Sequence, residues 1–252
     1  MPDKRIIPLL SYHNEELVKT IQFKNRQYIG DALNAVKIFN EKFVDEIILL
    51  DIGPEKRANY DINFSFLKYL LEECFIPVTY GGAIKSIDDA KKVFDLGIDK
   101  ISINSAFLND ISLVNKIANK FGSQSVVISL DIKQDIFKNF YIYNYKNENS
   151  VLNLDLKNFL IKIQESGAGE ILINSVDHDG KMKGMNKKLI NYTNNICSIP
   201  IIYCGGVGSL MDIKEVFKLN VDAIACTSFF CFYGKNKSVL ITYPYEDFGA
   251  IK

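Results

Sequence analysis

The sequence predicts an α/β protein, a single (β/α)8 barrel of the TIM type built from two half-barrel repeats. Three observations carry that prediction. Short apolar runs alternate with amphipathic stretches along the whole chain, the runs number eight, and the second half of the chain repeats the first. The 252 residues match the length usual for eight such units folded as one domain, taken as 1–252.

The first run, Ile6-Ile7-Pro8-Leu9-Leu10, is followed by a helical period over 31–43. Glu46-Ile-Ile-Leu-Leu-Asp51 precedes a second amphipathic stretch, 64–73, and Ile76-Pro-Val-Thr-Tyr80 precedes a third, 87–96. Lys100-Ile-Ser-Ile-Asn104 leads into 110–121, and Val126-Val-Ile-Ser-Leu-Asp131 into 155–167. The last three runs are Glu170-Ile-Leu-Ile-Asn174, Ile199-Pro-Ile-Ile-Tyr203 and Ala223-Ile-Ala-Cys-Thr227, separated by helical periods over 186–196 and 210–219. Runs of about five continuously apolar residues rich in Ile and Val are what parallel strands buried on both faces look like. Asp110 and Ser209 are candidate helix N-caps, and Gly97 and Gly167 candidate stops. Residues 140–155, rich in Tyr, Asn and Lys, are an excursion after the fifth strand.

Alternation alone leaves open whether the sheet closes. The repeat bears on that question. Glu46-Ile-Ile-Leu-Leu returns 124 residues later as Glu170-Ile-Leu-Ile-Asn, and Ile76-Pro-Val-Thr-Tyr-Gly-Gly returns 123 residues later from Ile199. The strand ending at Ser11 aligns with the one ending at Asp131, 120 residues on. Four β/α units per half, at nearly one period, point to a duplicated half-barrel.

Composition excludes several classes. Lys plus Arg and Asp plus Glu are each 30, so no global field draws nucleic acid or an anionic membrane. No apolar run reaches bilayer length and the start reads straight into a strand, so a cytoplasmic protein without a membrane segment is expected. The cysteines, Cys74, Cys197, Cys204, Cys226 and Cys231, are odd in number and embedded in apolar segments, as reduced core residues would be. With no ligand-spaced pair and only His13 and His178 as histidines, neither a metal nor another cofactor is expected.

In such a barrel the C-terminal ends of the strands face the active site. Here they carry Ser11, Asp51, Gly81-Gly82, Asn104-Ser105, Asp131, the stretch from Ser175 to Gly180, Gly205-Gly206 and Thr227-Ser228. A Gly-Gly pair after a buried strand lets backbone N–H groups approach a ligand. Two pairs at matching places, each ahead of a helix start, suit a phosphorylated ligand with an anion at either end, although one pair alone does no more than turn the chain. Asp131 ends an apolar strand and is the candidate general acid–base group; a strand-end cap or a salt bridge to Lys133 is the plainer alternative. Asp51 and Asp177 are placed to orient loops or bind ligand hydroxyls, with plain capping of the strand ends as the alternative, and Asp179-Gly180 is first a turn and second a phosphate contact. At the opposite ends of the strands, Arg5, Glu46, Lys100 and Glu170 are placed to form a charged ring, a polar gate or a partner surface.

These residues fall in a recognisable pattern. Lys4-Arg5-Ile-Ile-Pro8, Asp45-Glu46-Ile, Leu50-Asp51-Ile52, Phe75-Ile-Pro-Val-Thr-Tyr-Gly81-Gly82 and Asp99-Lys100-Ile-Ser-Ile-Asn104 make up its first half. Gly167-Ala-Gly-Glu170-Ile-Leu, Ser175-Val-Asp177-His-Asp179-Gly180 and Cys204-Gly-Gly-Val-Gly-Ser209 make up its second. Over about residues 1–235 the chain resembles the cyclase subunit of imidazole glycerol phosphate synthase. The resemblance implies a lyase-type barrel of histidine biosynthesis paired with a glutaminase in a heterodimer. Ammonia would enter through Arg5, Glu46, Lys100 and Glu170 and reach a phosphosugar at the mouth. It also implies two catalytic aspartates, at the ends of strands one and five, of which Asp131 is the second.

The first is absent. Ser11 stands in its place, and a serine hydroxyl is no base at neutral pH without help; His13 is a weak substitute two residues on. Ala83 replaces a third glycine, and the family's final helix gives way to a segment that looks extended, Val239-Leu-Ile-Thr-Tyr-Pro. These departures resemble a branch outside histidine synthesis that shares Phe23-Lys24, Tyr28-Ile-Gly-Asp31 and that same ending. The branch implies ammonia supply to a separate sugar amidotransferase in surface (lipo)polysaccharide formation. A true cyclase and a non-catalytic scaffold that activates the glutaminase are the other two readings.

Overall fold

The structure, a computed structural model, describes residues 4–53, 60–144, 155–244 and 248. From the N-terminus come β1 (Arg5–His13), β2 (Glu16–Ile21), β3 (Lys24–Asp31), α1 (Ala32–Glu41), β4 (Ile47–Asp51) and α2 (Phe64–Leu71). Then follow β5 (Val78–Gly81), α3 (Ile87–Asp95), β6 (Lys100–Ile103), α4 (Ser105–Asn109), α5 (Ile111–Phe121), β7 (Val126–Gln134) and β8 (Phe140–Ile142). The second half continues with α6 (Leu156–Glu165), β9 (Glu170–Ser175), α7 (Lys187–Asn194), β10 (Ile201–Cys204) and α8 (Leu210–Phe217). It ends with β11 (Ala223–Cys226), α9 (Ser228–Cys231), β12 (Phe232–Tyr233) and β13 (Ser238–Val239).

Eight of these strands, β1, β4, β5, β6, β7, β9, β10 and β11, pair in parallel in that order. The sheet closes where β11 returns to β1, from Arg5 opposite Ala223 to Pro8 opposite Cys226. Closure removes the open edges that a parallel sheet would otherwise expose. Strand periodicity then sorts the side chains. In β7, Val127 packs inward with Ile7, Leu9, Ile48, Leu172 and Ile202, whereas Val126, Ile128 and Leu130 face the helical layer. The chain thus has two cores, a small one inside the barrel and a larger one between strands and helices.

Caps account for where the helices start. Asp31, Asn63, Ser86, Asp110, Asp155, Asn186 and Ser209 each accept a backbone N–H of the helix they precede. Ser209 and Asp212 make a reciprocal capping box. Gly97 and Gly167 follow helix ends at φ 95° and 87°, the left-handed region that a side chain resists.

One feature departs from the sequence reading, and two expected ones take a definite form. The stretch after the first strand is a two-stranded antiparallel excursion, β2 and β3, whose outer residues are polar and which buries little beyond Leu17, Val18 and Ile29. The excursion after strand five begins as a hairpin of β7 and β8, and its continuation over 145–154 lies outside the described residues. At the C-terminus the expected extended segment runs back along the barrel: Thr242 N–H donates to Phe230 O at 2.9 Å and Tyr243 OH to Ile6 O at 3.0 Å. Phe230, Tyr243 and Phe248 stack against one another there, with ring centroids 4.9–6.3 Å apart. No helix among the described residues is long and apolar enough to cross a membrane.

Candidate active site at the barrel mouth and an ion-pair ring at its base

A cavity of about 1010 Å³ opens at the C-terminal ends of the strands. It gathers residues from every strand of the barrel. Ser11, Asp51 and Asp131 line it, as do both glycine pairs, Gly81-Gly82 and Gly205-Gly206. Asn104 and Ser105 lie on its wall beside the first pair, and Asp179, Gly180, Thr227 and Ser228 beside the second. Asp177 and His13 are not on the wall.

The glycines are required by space as well as by conformation. Gly82 has φ 150°, and a Cβ there would fall 2.6 Å from Asp51 Cβ. Gly206 has φ 108°, and its Cβ would fall 2.2 Å from Gly184 O. A side chain at either position would push the backbone off the cavity wall. In the second loop Thr227 Oγ1 donates to Leu9 O, while the buried Ser228 Oγ has no hydrogen-bond partner among the described residues. A buried hydroxyl of this kind calls for a partner outside the protein, such as an ordered water or a ligand oxygen.

Asp131 is held by two amides. Asn104 Nδ2 donates to Oδ2 at 2.8 Å, and Asn174 Nδ2 lies 3.5 Å from Oδ1. Lys133, the alternative partner considered above, has its Nζ 3.7 Å from the centre of the Tyr143 ring. Asp51 and Asp177 each accept a backbone N–H group near a strand end, as the capping alternative has it. Gly53 N–H and Tyr60 OH donate to Asp51 at 2.9 and 2.7 Å, and Gln134 N–H donates to Asp177 at 2.8 Å. Asp179 is more than a turn residue: Lys19 Nζ reaches its Oδ1 at 2.5 Å, with both side chains nearly buried. Asn174 and Lys19 were not singled out for roles from the sequence. Alternation from Glu170 through Leu172 places Asn174 inward, so a signal for it was present, whereas nothing in the sequence pairs Lys19 with a residue 160 positions away.

At the opposite end the four charged residues form a closed ring. Arg5 pairs with Glu46 at 2.7 Å and with Glu170, and Lys100 pairs with Glu46 at 3.3 Å and with Glu170 at 3.0 Å. Thr79 Oγ1 adds a hydrogen bond to Glu46 at 3.0 Å. Each carboxylate thus sits between two cations, and together the two carboxylates hold the Arg5 guanidinium above its usual pKa even though burial opposes them. Cys204 and Cys231 are buried thiols pushed up to about 12, so neither is a nucleophile at neutral pH.

Comparison with known proteins bears on both ends. The family model described as "Histidine biosynthesis protein" matches residues 5–237. The chain is 42% identical over 245 residues, 97% of each chain, to the "Putative imidazole glycerol phosphate synthase subunit hisF2" of Pseudomonas aeruginosa. It is 40% identical over 230 residues, 90% of each chain, to the protein of the same name from Campylobacter jejuni. The "Imidazole glycerol phosphate synthase subunit HisF" of Dictyoglomus turgidum is 36% identical over 231 residues, 91% of this chain and 90% of that one.

Proposed function

The chain belongs to the histidine biosynthesis protein family as a homologue of the HisF subunits of imidazole glycerol phosphate synthase, and from that premise we propose that it is an ammonia-handling paralogue of the cyclase subunit. In this reading a glutaminase of the HisH type docks at the strand-entry end as the second half of a heterodimer. Ammonia passes the ring of Arg5, Glu46, Lys100 and Glu170 and leaves at the mouth, where a sugar amidotransferase for surface polysaccharide takes it up.

The observation that carries the reading is the combination of an intact ring with an incomplete pair of carboxylates. Ring closure by general acid–base catalysis calls for a group on either side of the reacting atoms. Asp131 is present on strand five, while the cavity wall at the end of strand one offers the Ser11 hydroxyl. His13 does not line the cavity, so it is not the replacement. Between the two ends, the inward positions above Thr79 carry the small hydroxyl residues Ser102 and Ser129, both on the cavity wall. Walls of that kind offer a small neutral amine brief hydrogen bonds and no charge to hold it. The glycine loops with Asn104, Ser105, Gly180 and Ser228 remain suited to a ligand with a phosphate at each end, which the paralogue keeps as a signal to its glutaminase.

The test is a reconstitution with a glutaminase subunit of the HisH type. Glutamine-driven release of ammonia is expected, together with no cyclisation of the aminocarboxamide ribonucleotide intermediate, from glutamine or from ammonium salts. Cyclisation at the rate of a two-aspartate subunit would make the chain a true cyclase. Full glutaminase stimulation with the barrel interior blocked, by Ser129→Leu for example, would make it a scaffold.

A further inference from the structure

The chain contains two histidines, and one of them is built in behind the second glycine loop. His178 belongs to the turn after β9. Its Nδ1 lies 3.0 Å from the Ser175 hydroxyl, and the Ser175 carbonyl accepts the N–H groups of both His178 and Asp179 at 3.0 Å. Ser175 is buried and His178 half-buried, so one end of this cross-link is anchored in the interior. A Cβ placed on Gly206 would come within 3.2 Å of His178 Cβ, so the histidine packs directly against the loop after β10. Beyond it the chain folds over the same loop, where Gly184 N–H donates to Gly206 O at 2.9 Å. His178 therefore stands behind two backbone segments, 179–180 and 205–206, that line the cavity, without lining it itself.

We propose that His178 is a positioning residue for the second glycine loop, and that its protonation strengthens the binding of a doubly charged oxyanion there. The proposal rests on reading Gly180, Gly205 and Gly206 as an oxyanion seat. A neutral imidazole offers one donor and one acceptor, and Ser175 can serve either; a protonated ring donates from Nδ1 and Ser175 Oγ accepts. The cross-link survives in both states, so the turn keeps its shape. What changes is the appearance of a full positive charge on the ring beside Ser175, behind the cavity-lining segments.

The charges around the ring are few. Asp177 and Lys181 act from its own loop in opposite senses. From β2 comes Lys19, already paired with Asp179, and from α8 comes Asp212, which accepts the Gly208 and Ser209 N–H groups. Burial is the largest influence and lowers the His178 pKa below its ordinary 6.5. The ring is thus neutral at pH 7 and gains its proton only on the acid side of the ordinary imidazole range. Linkage makes the effect reciprocal: an anion that raises this pKa by about one unit binds about tenfold more tightly to the protonated form.

Sulfate is the right probe, because its charge does not change between about pH 5 and 8 whereas that of a phosphate ester does. Its affinity for the full chain is measured by calorimetry at both ends of that range, with the His178 ring protons followed by NMR. Wild type should bind sulfate about three- to tenfold more tightly at the acid end, and sulfate should raise the His178 pKa by the corresponding amount. His178→Gln, which keeps a hydrogen-bonding group of similar reach, should bind sulfate with less than about a twofold change, while His13→Gln should behave as wild type. Affinity independent of pH in wild type, or an acid-side gain that survives in His178→Gln, overturns the proposal alone. Absence of saturable sulfate binding in all three proteins at every pH overturns the oxyanion seat itself, and the proposal with it.

Discussion

Asp131 lines the barrel mouth at the end of the fifth barrel strand, and Ser11 stands at the matching place on the first. Asn104 and Asn174 supply amide N–H groups to its two oxygens, at 2.8 and 3.5 Å, and fix the carboxylate toward the mouth. Across the barrel, Ser11 sits between Leu50 of β4 and Val18 of β2 in the sheet, where a longer carboxylate would reach into the same cavity. Ser11→Asp should therefore bring measurable cyclisation of the ribonucleotide intermediate with ammonium salts, read as product by mass spectrometry. Asp131→Asn added to it should abolish that gain, and neither change should alter glutamine-driven ammonia release. A silent Ser11→Asp would mean that the rest of the mouth is no longer arranged for ring closure. At this scale the sequence was informative about position and poor about partners. The strand-end rule marked Asp131, Ser11 and the glycine pairs, because those positions follow from strand periodicity alone. The contacts of Asn174 with Asp131 and of Lys19 with Asp179 span 43 and 160 residues, and no local pattern encodes them.

The elements meet most tightly in the ring at the barrel base. Arg5 and Glu170 open β1 and β9, Lys100 opens β6, and Glu46 precedes β4, so four separate strands are tied at their entry ends. Glu46 is the most deeply placed, 4% exposed, and accepts from Arg5, Lys100 and Thr79. Removing one member of a fully buried ion pair costs about 3–5 kcal/mol, because its partner is left charged and dry. Here the loss should be smaller, since the Arg5 and Lys100 side chains keep 23% and 24% of their surface in water. Glu46→Gln is accordingly expected to lower the free energy of unfolding by about 1–3 kcal/mol in urea titrations, with an unchanged m-value. The same variant should uncouple the two ends, so that glutamine is hydrolysed while less ammonia reaches the mouth. Stability equal to wild type would show that the ring is no more than a set of surface pairs. Sequence reading found these four residues because each interrupts or abuts an apolar run. It missed β2 and β3 for the opposite reason: Lys24-Asn25-Arg26-Gln27 has no apolar alternation, and the pairing of that hairpin comes from its extension of β1.

For the molecule as a whole, closure was the least local property and was still legible, through the near-constant offset between halves that each supply four strands. What the offset does not convey is how the two ends are used, and there the distribution of exposed apolar side chains is the guide. Phe43 and Phe75 are 80% and 82% exposed, the largest values for any aromatic side chain described. Both lie in helix-to-strand loops, before β4 and β5, which puts them at the end that carries the ring. The Phe75 N–H donates to Asn40 Oδ1 at 2.8 Å, which ties the loop before β5 to the end of α1. Aromatic anchors dominate interface energetics, each truncation costing about 2 kcal/mol or more. If the glutaminase docks around the ring, replacing both residues by Ser should weaken the heterodimer by roughly 100-fold or more, as measured by calorimetric titration. Folding should be almost indifferent, within about 0.5 kcal/mol per site, because neither ring contributes to the core. Ammonium-dependent activities at the mouth should likewise be unchanged, since the two loops lie at the far end of the barrel. An undiminished affinity would move the partner off this face, and with it the entry point assigned to ammonia.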